Sequence, residues 1–421
     1  MTPEIKQRIE QIRRDEVPEG YKKTKVGIVP AEWKETRFRN MFSRVTRKNN
    51  EGNDNVLTIS AQNGLISQRD FFNKDIASED KSNYYLLKNG EFAYNKSYSN
   101  GYPFGALKRL DMYDKGIVSP LYICFAATKE NKCPDFYVHY FEAGKMNREI
   151  QAFAQEGARN HGLLNISVDD FFNSYIVAPF FAEQDKIAEI LSTQDKLIEL
   201  KEKLIEEKKR QKKALMQQLL TGKKRLPDFD GEWVPVKLKS LLKERKTYSQ
   251  KGLEYPHVTL STDGIYAKSE RYDRDHLVKD ESKEYKITHS GDICYNPANL
   301  KFGVICVNDF GDAIFSPIYV TFEIQKGVEC GFLSNYLMRW DFINAVRKYE
   351  EGTVYERMAV KPEDFLKFEI LLPPIEEQKA IADILINADR EIELLQKELE
   401  QEKQKKKALM QLLLTGIVRV N

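Results

Sequence analysis

The sequence predicts an α+β protein made as an internal repeat, in which two mixed α/β modules are separated by a pair of long antiparallel helices. Three observations predict this. The segment Lys212–Gly222 recurs as Lys406–Gly416 with a single change, Gln218 to Leu412. Further matches run in order through both halves of the chain. Each half also ends in a stretch of about 40 residues without an internal Gly or Pro, long enough for a helix of about 60 Å.

The repeat is about half the chain, far longer than the period of a solenoid. At the offset of 194 set by the helix ends, Glu183-Gln184 matches Glu377-Gln378, Ile187-Ala188 matches Ile381-Ala382, and Asp170-Phe171 matches Asp364-Phe365. Upstream the offset drifts, as differing loop lengths require. There Glu32-Trp33 matches Glu232-Trp233, Gly90 with Tyr94-Asn95 matches Gly291 with Tyr295-Asn296, and Ser119-Pro120 matches Ser316-Pro317.

In chain order, residues 1–20 read as a polar helical extension that lacks the apolar core of a signal peptide. Residues 21–180 carry short apolar runs between turns, such as Gly90-Glu91-Phe92-Ala93-Tyr94 and Ile117 to Phe125, which read as mixed strands with a few short helices. Residues 181–222 form the first long helix, with heptad rows Ile190, Leu197, Leu204 and Leu191, Ile198, Ile205. Residues 223–373 repeat the module, with Gly291 to Tyr295 and Ala313 to Phe322 as strands. Residues 374–421 repeat the helix, with rows Ile381, Ala388, Leu395 and Leu385, Ile392, Leu399. Pro373-Pro374 before a helix and Gly222 or Gly416 after one are start and stop signals. Lys, Glu and Gln fill the other faces, so one apolar stripe must pack on a partner, and the other copy is the nearest equivalent.

Composition narrows the class. Hydrophobic residues at 41% allow sizeable cores, and 31% charged residues exceed what a compact enzyme usually carries. Lys+Arg (66) and Asp+Glu (64) nearly cancel, so any basic surface must be local. Five cysteines without a C-x-x-C pair favour reduced thiols over disulfides or zinc. No stretch approaches the roughly 20 apolar residues of a membrane span. A cytoplasmic protein without membrane contact is expected.

A search for catalytic or metal-binding residues returns none. The five histidines have no metal-ligand spacing. Thr221-Gly222-Lys223-Lys224 looks like part of a phosphate loop, but Gln217 stands where its first glycine is required. Asn296-Pro297-Ala298-Asn299 lacks the second proline and the aromatic of an amino-methyltransferase loop. Glu244-Arg245-Lys246 after Pro227-Asp228 mimics a nuclease motif that the matched Arg44-Val45-Thr46 does not repeat.

Binding residues are more evident. Near the first Tyr-Asn strand end lie Tyr94, Asn95, Lys96, Ser97, Tyr98, Asn100 and Tyr102, then Lys108 and Arg109; the second copy has Tyr295, Asn296, Asn299 and Lys301. Arg159-Asn160-His161 and Tyr355-Glu356-Arg357 each follow a Glu-Gly pair. Asn, Arg, Lys and Ser can pair with base edges, and Lys and Arg hold phosphates. The same residue types fill ordinary solvated loops, so composition leaves both readings open. The helix ends are nearly identical between copies while these loops differ, as a shared scaffold with two unlike reading heads would require.

The chain resembles, over nearly its whole length, the specificity subunit of type I restriction-modification systems. Tyr21-Lys22-Lys23-Thr24-Lys25-Val26-Gly27-Ile28-Val29-Pro30 with Glu32-Trp33 looks like the family's opening. Pro373-Pro374-Ile375-Glu376-Glu377-Gln378 with Ile381-Ala382-Asp383-Ile384-Leu385 looks like its helix start, and Leu219-Leu220-Thr221-Gly222 like its helix end. The first copy departs at the helix start, where Pro179-Phe180-Phe181 lacks the second proline. The resemblance implies two target-recognition domains, each reading half of a split site in double-stranded DNA, with the helices as spacer. It implies two modification subunits docked on the helical regions and restriction subunits on that core. S-adenosylmethionine, ATP and magnesium would belong to those partners, and this chain would hold no cofactor. Rival readings are a coiled-coil adaptor with two protein-binding modules and a nucleic-acid binder without sequence preference.

Overall fold

The computed structural model describes residues 2–60, 64–69, 81–98, 101–156, 164–250, 255–268, 284–349 and 359–420. The chain forms two compact units, Met1–Leu200 with Leu399–Asn421, and Lys201–Glu398. The division cuts each long helix, Phe181–Leu219 and Ile375–Leu413, near its middle.

Each unit is built on one four-stranded antiparallel sheet. In the first its order is Phe42–Arg44, Ile123–Ala127, Phe92–Asn95, Ala106–Arg109. In the second it is Leu242–Glu244, Val320–Ile324, Ile293–Tyr295, Ile305–Val307, the same order of equivalent strands. The packing against these sheets differs in kind. Phe38, Phe42, Phe92, Phe125, Phe141 and Phe171 form one aromatic cluster in the first core. The second core has Leu238, Leu242, Ile293, Phe322, Leu337 and Phe365 at the matching places. One backbone plan therefore accepts two fillings, one aromatic and one largely aliphatic.

Module closure follows the same rule twice. Lys34–Arg37 pairs antiparallel with Tyr175–Ala178, and Val234–Lys237 with Glu369–Leu372. Each pairing brings the beginning of a module to the strand that leads into its long helix. Ahead of the first module, Pro3–Arg13 is helical; Thr2 caps it, its Oγ1 accepting from the Ile5 amide at 3.4 Å.

The helix ends explain the repeated Leu-Leu-Thr-Gly. Gly222 and Gly416 have φ of +69° and +68°, a left-handed conformation that an L side chain adopts only under strain. They donate to the Leu219 carbonyl at 3.2 Å and the Leu413 carbonyl at 3.1 Å, closing the last turn. A Cβ on Gly416 would also sit 2.4 Å from Pro30. The preceding leucines are core residues of the other repeat's module. Leu219 and Leu220 are buried in the second unit's core, Leu413 and Leu414 in the first.

In the second unit the helix segments lie antiparallel, since partner numbers rise on one helix as they fall on the other. In the first unit Gln194 donates to a Glu402 carboxylate oxygen at 2.7 Å, and Asp195 pairs with Lys406. In the second, Lys201 pairs with Glu398 at 2.7 Å, Lys208 with Glu391 at 2.5 Å and Lys212 with Asp389 at 2.5 Å. Exposed pairs of this sort contribute about 0–1 kcal/mol each, so they fix register more than they stabilise.

One expected row is corrected. Leu191 and Ile205 face the seam and are buried, whereas Leu197 and Leu204 are exposed. The Ile190 row lies one residue, hence about 100°, around the helix from the Leu191 row. A narrow seam cannot take both, and Ile187 and Gln194 complete it instead. In the second helix the expected rows are four and three residues apart, on one face, and Ile381, Leu385 and Ile392 are buried together.

All five cysteines are free. Burial pushes the thiols of Cys124, Cys294 and Cys306 up to about 12, which keeps them protonated and unreactive. Among the described residues no helix is long and apolar enough to cross a membrane.

The crossed helix ends make a specific prediction. Leu414→Ala should cost about 2–5 kcal/mol and speed amide exchange in residues 1–200, more than two hundred positions upstream. Leu220→Ala should instead loosen residues 230–372. Hydrogen-exchange mass spectrometry reads both, and equal loosening of both units by either change would contradict separate cores.

Candidate nucleic-acid interface

The hairpin that leaves each sheet carries most of the candidate residues. In the first unit Phe92–Asn95 pairs with Ala106–Arg109, and in the second Ile293–Tyr295 pairs with Ile305–Val307. The chain emerges from each inner strand through the same turn: the Asn95 Oδ1 accepts from the Ser97 amide, and the Asn296 Oδ1 from the Ala298 amide, both at 3.1 Å. Such a turn is why asparagine stands at both strand ends. Asn296 is nearly buried by this role.

Tyr94 and Tyr295 are not surface readers, which corrects their place among the candidates. Both are fully buried. Tyr94 stacks on Phe171 with centroids 5.1 Å apart and donates to the Phe104 carbonyl at 2.6 Å. Tyr295 stacks on Phe365 at 5.0 Å and donates to the Val360 carbonyl at 3.1 Å. Burial raises both phenols well above the ordinary tyrosine value. They are the roots of the hairpins.

Lys108 and Arg109 are likewise engaged by the protein. Lys108 pairs with Glu142, and its Nζ also reaches the Tyr102 hydroxyl at 3.1 Å. Arg109 holds Asp111 at 2.7 Å and Asp135 at 2.6 Å. Their charges brace the hairpin against the helix Pro134–Glu142 and are neutralised there. The nuclease-like triplet is also structural: Glu244 takes Lys286 at 3.0 Å, and Arg245 grips Asp292 with two bonds of 2.9 Å. Among the described residues no cluster could hold a metal ion.

Free functional groups remain at the tips. Lys96 is half-buried, pairs with no carboxylate among the described residues, and is held below the ordinary lysine value by burial. Ser97 follows it, and Tyr98 is 62% exposed. In the second unit Asn299 is exposed at the cap of a short turn, Leu300–Phe302, and Lys301 lies over the Phe302 ring, 5.4 Å from its centroid. Phe302, also 62% exposed, is a further surface residue of this tip that the sequence pattern did not single out. Its signal was an aromatic set between Lys301 and Gly303 in a polar loop.

Each hairpin loop is also tied by one backbone hydrogen bond to a later part of its own module. The Lys96 carbonyl accepts from the Leu164 amide at 3.0 Å, and the Pro297 carbonyl from the Val360 amide at 3.3 Å. Asn100, Arg159, Asn160, His161, Tyr355 and Arg357 lie outside the described residues.

Two modules of one plan, each with an unlike hairpin, define a repeated recognition scaffold. Residues 230–404 match the family described as the type I restriction modification DNA specificity domain. The chain is also similar over most of its length to type I specificity subunits of one organism. It is 25% identical over 431 residues to a protein of Methanocaldococcus jannaschii assigned as the type I restriction enzyme MjaX specificity subunit, covering 96% of this chain and 97% of that one. The type I restriction enzyme MjaVIII specificity subunit of the same organism is 27% identical over 333 residues, 73% of this chain and 75% of the relative. A chain from a structure concerned with complex assembly and conformational transition of the type I R-M system shares the fold. Its TM-score is 0.55 at 16% identity, with 93% of this chain and 99% of that chain covered.

The buried tyrosines are testable apart from any ligand. Tyr295→Phe keeps the stack and leaves the Val360 carbonyl without its donor, so it should lower stability by about 1 kcal/mol. Tyr94→Phe should do the same in the first unit. Denaturant unfolding measures both, and unchanged midpoints would show that the hydroxyls do not hold the hairpins.

Proposed function

We propose that this chain is the DNA-reading, non-catalytic subunit of a type I restriction-modification complex, with each module reading one half of a bipartite site. One observation carries the reading. The same hairpin and the same asparagine turn occur in both modules, yet they present Lys96-Ser97-Tyr98 in one and Pro297-Ala298-Asn299 with Lys301 in the other. A matched scaffold with unmatched tips is what reading two different base sequences requires, because base edges are distinguished by the side chains offered to them.

In this reading Lys96 and Lys301 hold phosphates, while Ser97, Asn299 and the loops with Arg159, Asn160, His161, Tyr355 and Arg357 meet base edges. Two modification subunits and the restriction subunits dock on the helical regions. They bring S-adenosylmethionine, ATP and magnesium, and this chain itself neither cuts nor methylates DNA.

Replacing residues 21–180 with the equivalent part of a relative should change one half of the sequence methylated in cells that also express the partner subunits. A change in both halves would contradict one module per half-site. Binding should also depend on pH through Lys96. A phosphate favours the charged ammonium, whose value burial has lowered, so affinity should fall as pH rises through that lowered value. Lys96→Arg, charged throughout, should keep its affinity there. Anisotropy titrations from about pH 7 to 10 at fixed salt read the difference, and identical profiles would remove Lys96 from the interface.

A further inference from the structure

Single exposed apolar residues are common and need no explanation. Phe302 and Tyr98 differ from that background in three respects. They occupy the same hairpin loop in the two modules, both are 62% exposed, and both are aromatic in loops that otherwise diverge. Each also has a lysine close in sequence that pairs with no carboxylate among the described residues, Lys96 before Tyr98 and Lys301 before Phe302.

The second tip is built to hold its ring out. Leu300 is buried 1% exposed and anchors the turn, while Phe302, two residues on, points away from the core. The Phe302 amide donates to the Asn299 carbonyl at 2.9 Å, and the Gly303 amide to the Leu300 carbonyl at 2.8 Å. Gly303 reverses the chain with φ of +80°. The ring therefore stands on a fixed turn with an ammonium beside it, so little conformational freedom is lost when it meets a ligand. An aliphatic side chain would serve for contact with a thymine methyl. A ring in both modules points to a flat partner, and a ring next to a cation matches a base next to its phosphate.

We infer that Phe302, and Tyr98 in the equivalent loop of the other module, stack on the face of a base that the recognised DNA exposes at an opened base step. The inference rests on the hairpins being the DNA interface. It adds to that reading an apolar, shape-dependent contact that base-edge pairing does not supply. The ring acts as a wedge, and the deformability of the step it enters contributes to specificity.

The test uses the full chain and a duplex carrying the sequence methylated in cells that express it with its partners. Phe302→Ser and Phe302→Leu should each weaken binding about tenfold or more, and Phe302→Tyr should restore it. A duplex with the second half-site scrambled should bind all four proteins alike. With 2-aminopurine placed through that half-site, one position should brighten on binding the parent and stay dark with Phe302→Leu. Leu as good as Phe, or Ser as good as either, would overturn stacking. Asn299→Ala and Lys301→Ala separate the two levels. If they weaken binding and Phe302→Ser does not, only the wedge fails; if none of the three does, the hairpin interface itself fails. Unchanged thermal unfolding of each variant confirms that the fold is intact, as an exposed position should allow.

Discussion

A buried carboxylate at the start of each long helix holds each unit together. Glu377 is fully buried, and accepts from the Arg225 guanidinium at 2.7 and 2.8 Å and from the Trp233 indole at 3.0 Å. Glu183 accepts from Arg419 at 2.6 and 2.8 Å. In both cases the arginine comes just after the end of the other helix. A buried carboxylate without a partner would be strongly destabilising, so the start of one helix and the tail of the other are obliged to meet. The first module is therefore completed by the last residues of the chain: the Gly416 carbonyl accepts from the Tyr21 hydroxyl at 2.6 Å and the Ile417 carbonyl from Arg8 at 2.6 Å.

The helix segments obey a second constraint, which is that of polarity. Positions that a simple heptad would fill with leucine hold Gln194, Lys201, Lys208 and Lys212, and each faces an acid on the other helix. Polar seam residues cost stability and select one alignment. Most of these pairs set a lysine of the first helix against an acid of the second, and Asp195 with Lys406 reverses the order, so the pairing favours one alignment of the two helices. The leucines displaced from the seam, Leu197 and Leu204, are left on the exposed side.

At the hairpins, rigidity and variability are separated by depth. Buried tyrosines, the asparagine turns and the Lys108–Glu142 and Arg109–Asp135 pairs fix where the tips stand. What the tips carry is free to differ, because nothing in the core depends on it. That division lets one scaffold present Tyr98 in one module and Phe302 in the other.

The repeat, the two long helices and their ends were legible in the sequence, because identical spacing of Leu-Leu-Thr-Gly and a 3.6-residue apolar period are local signals that survive without a structure. The Tyr-Asn strand ends were legible as positions but not as roles: Tyr94 and Tyr295 share their residue types with binding surfaces, and only burial made them roots. Lys108 and Arg109 looked like free charge until Glu142 and Asp135, distant in sequence, were brought beside them. The choice between the Ile190 row and the Leu191 row also waited for the structure, since both have the same period and differ only in which face meets the partner. Periodicity and repetition are properties of one strand of chain, so the sequence alone determined them. Burial, pairing and exposure are properties of what lies across from a residue, and only the tertiary structure decided those.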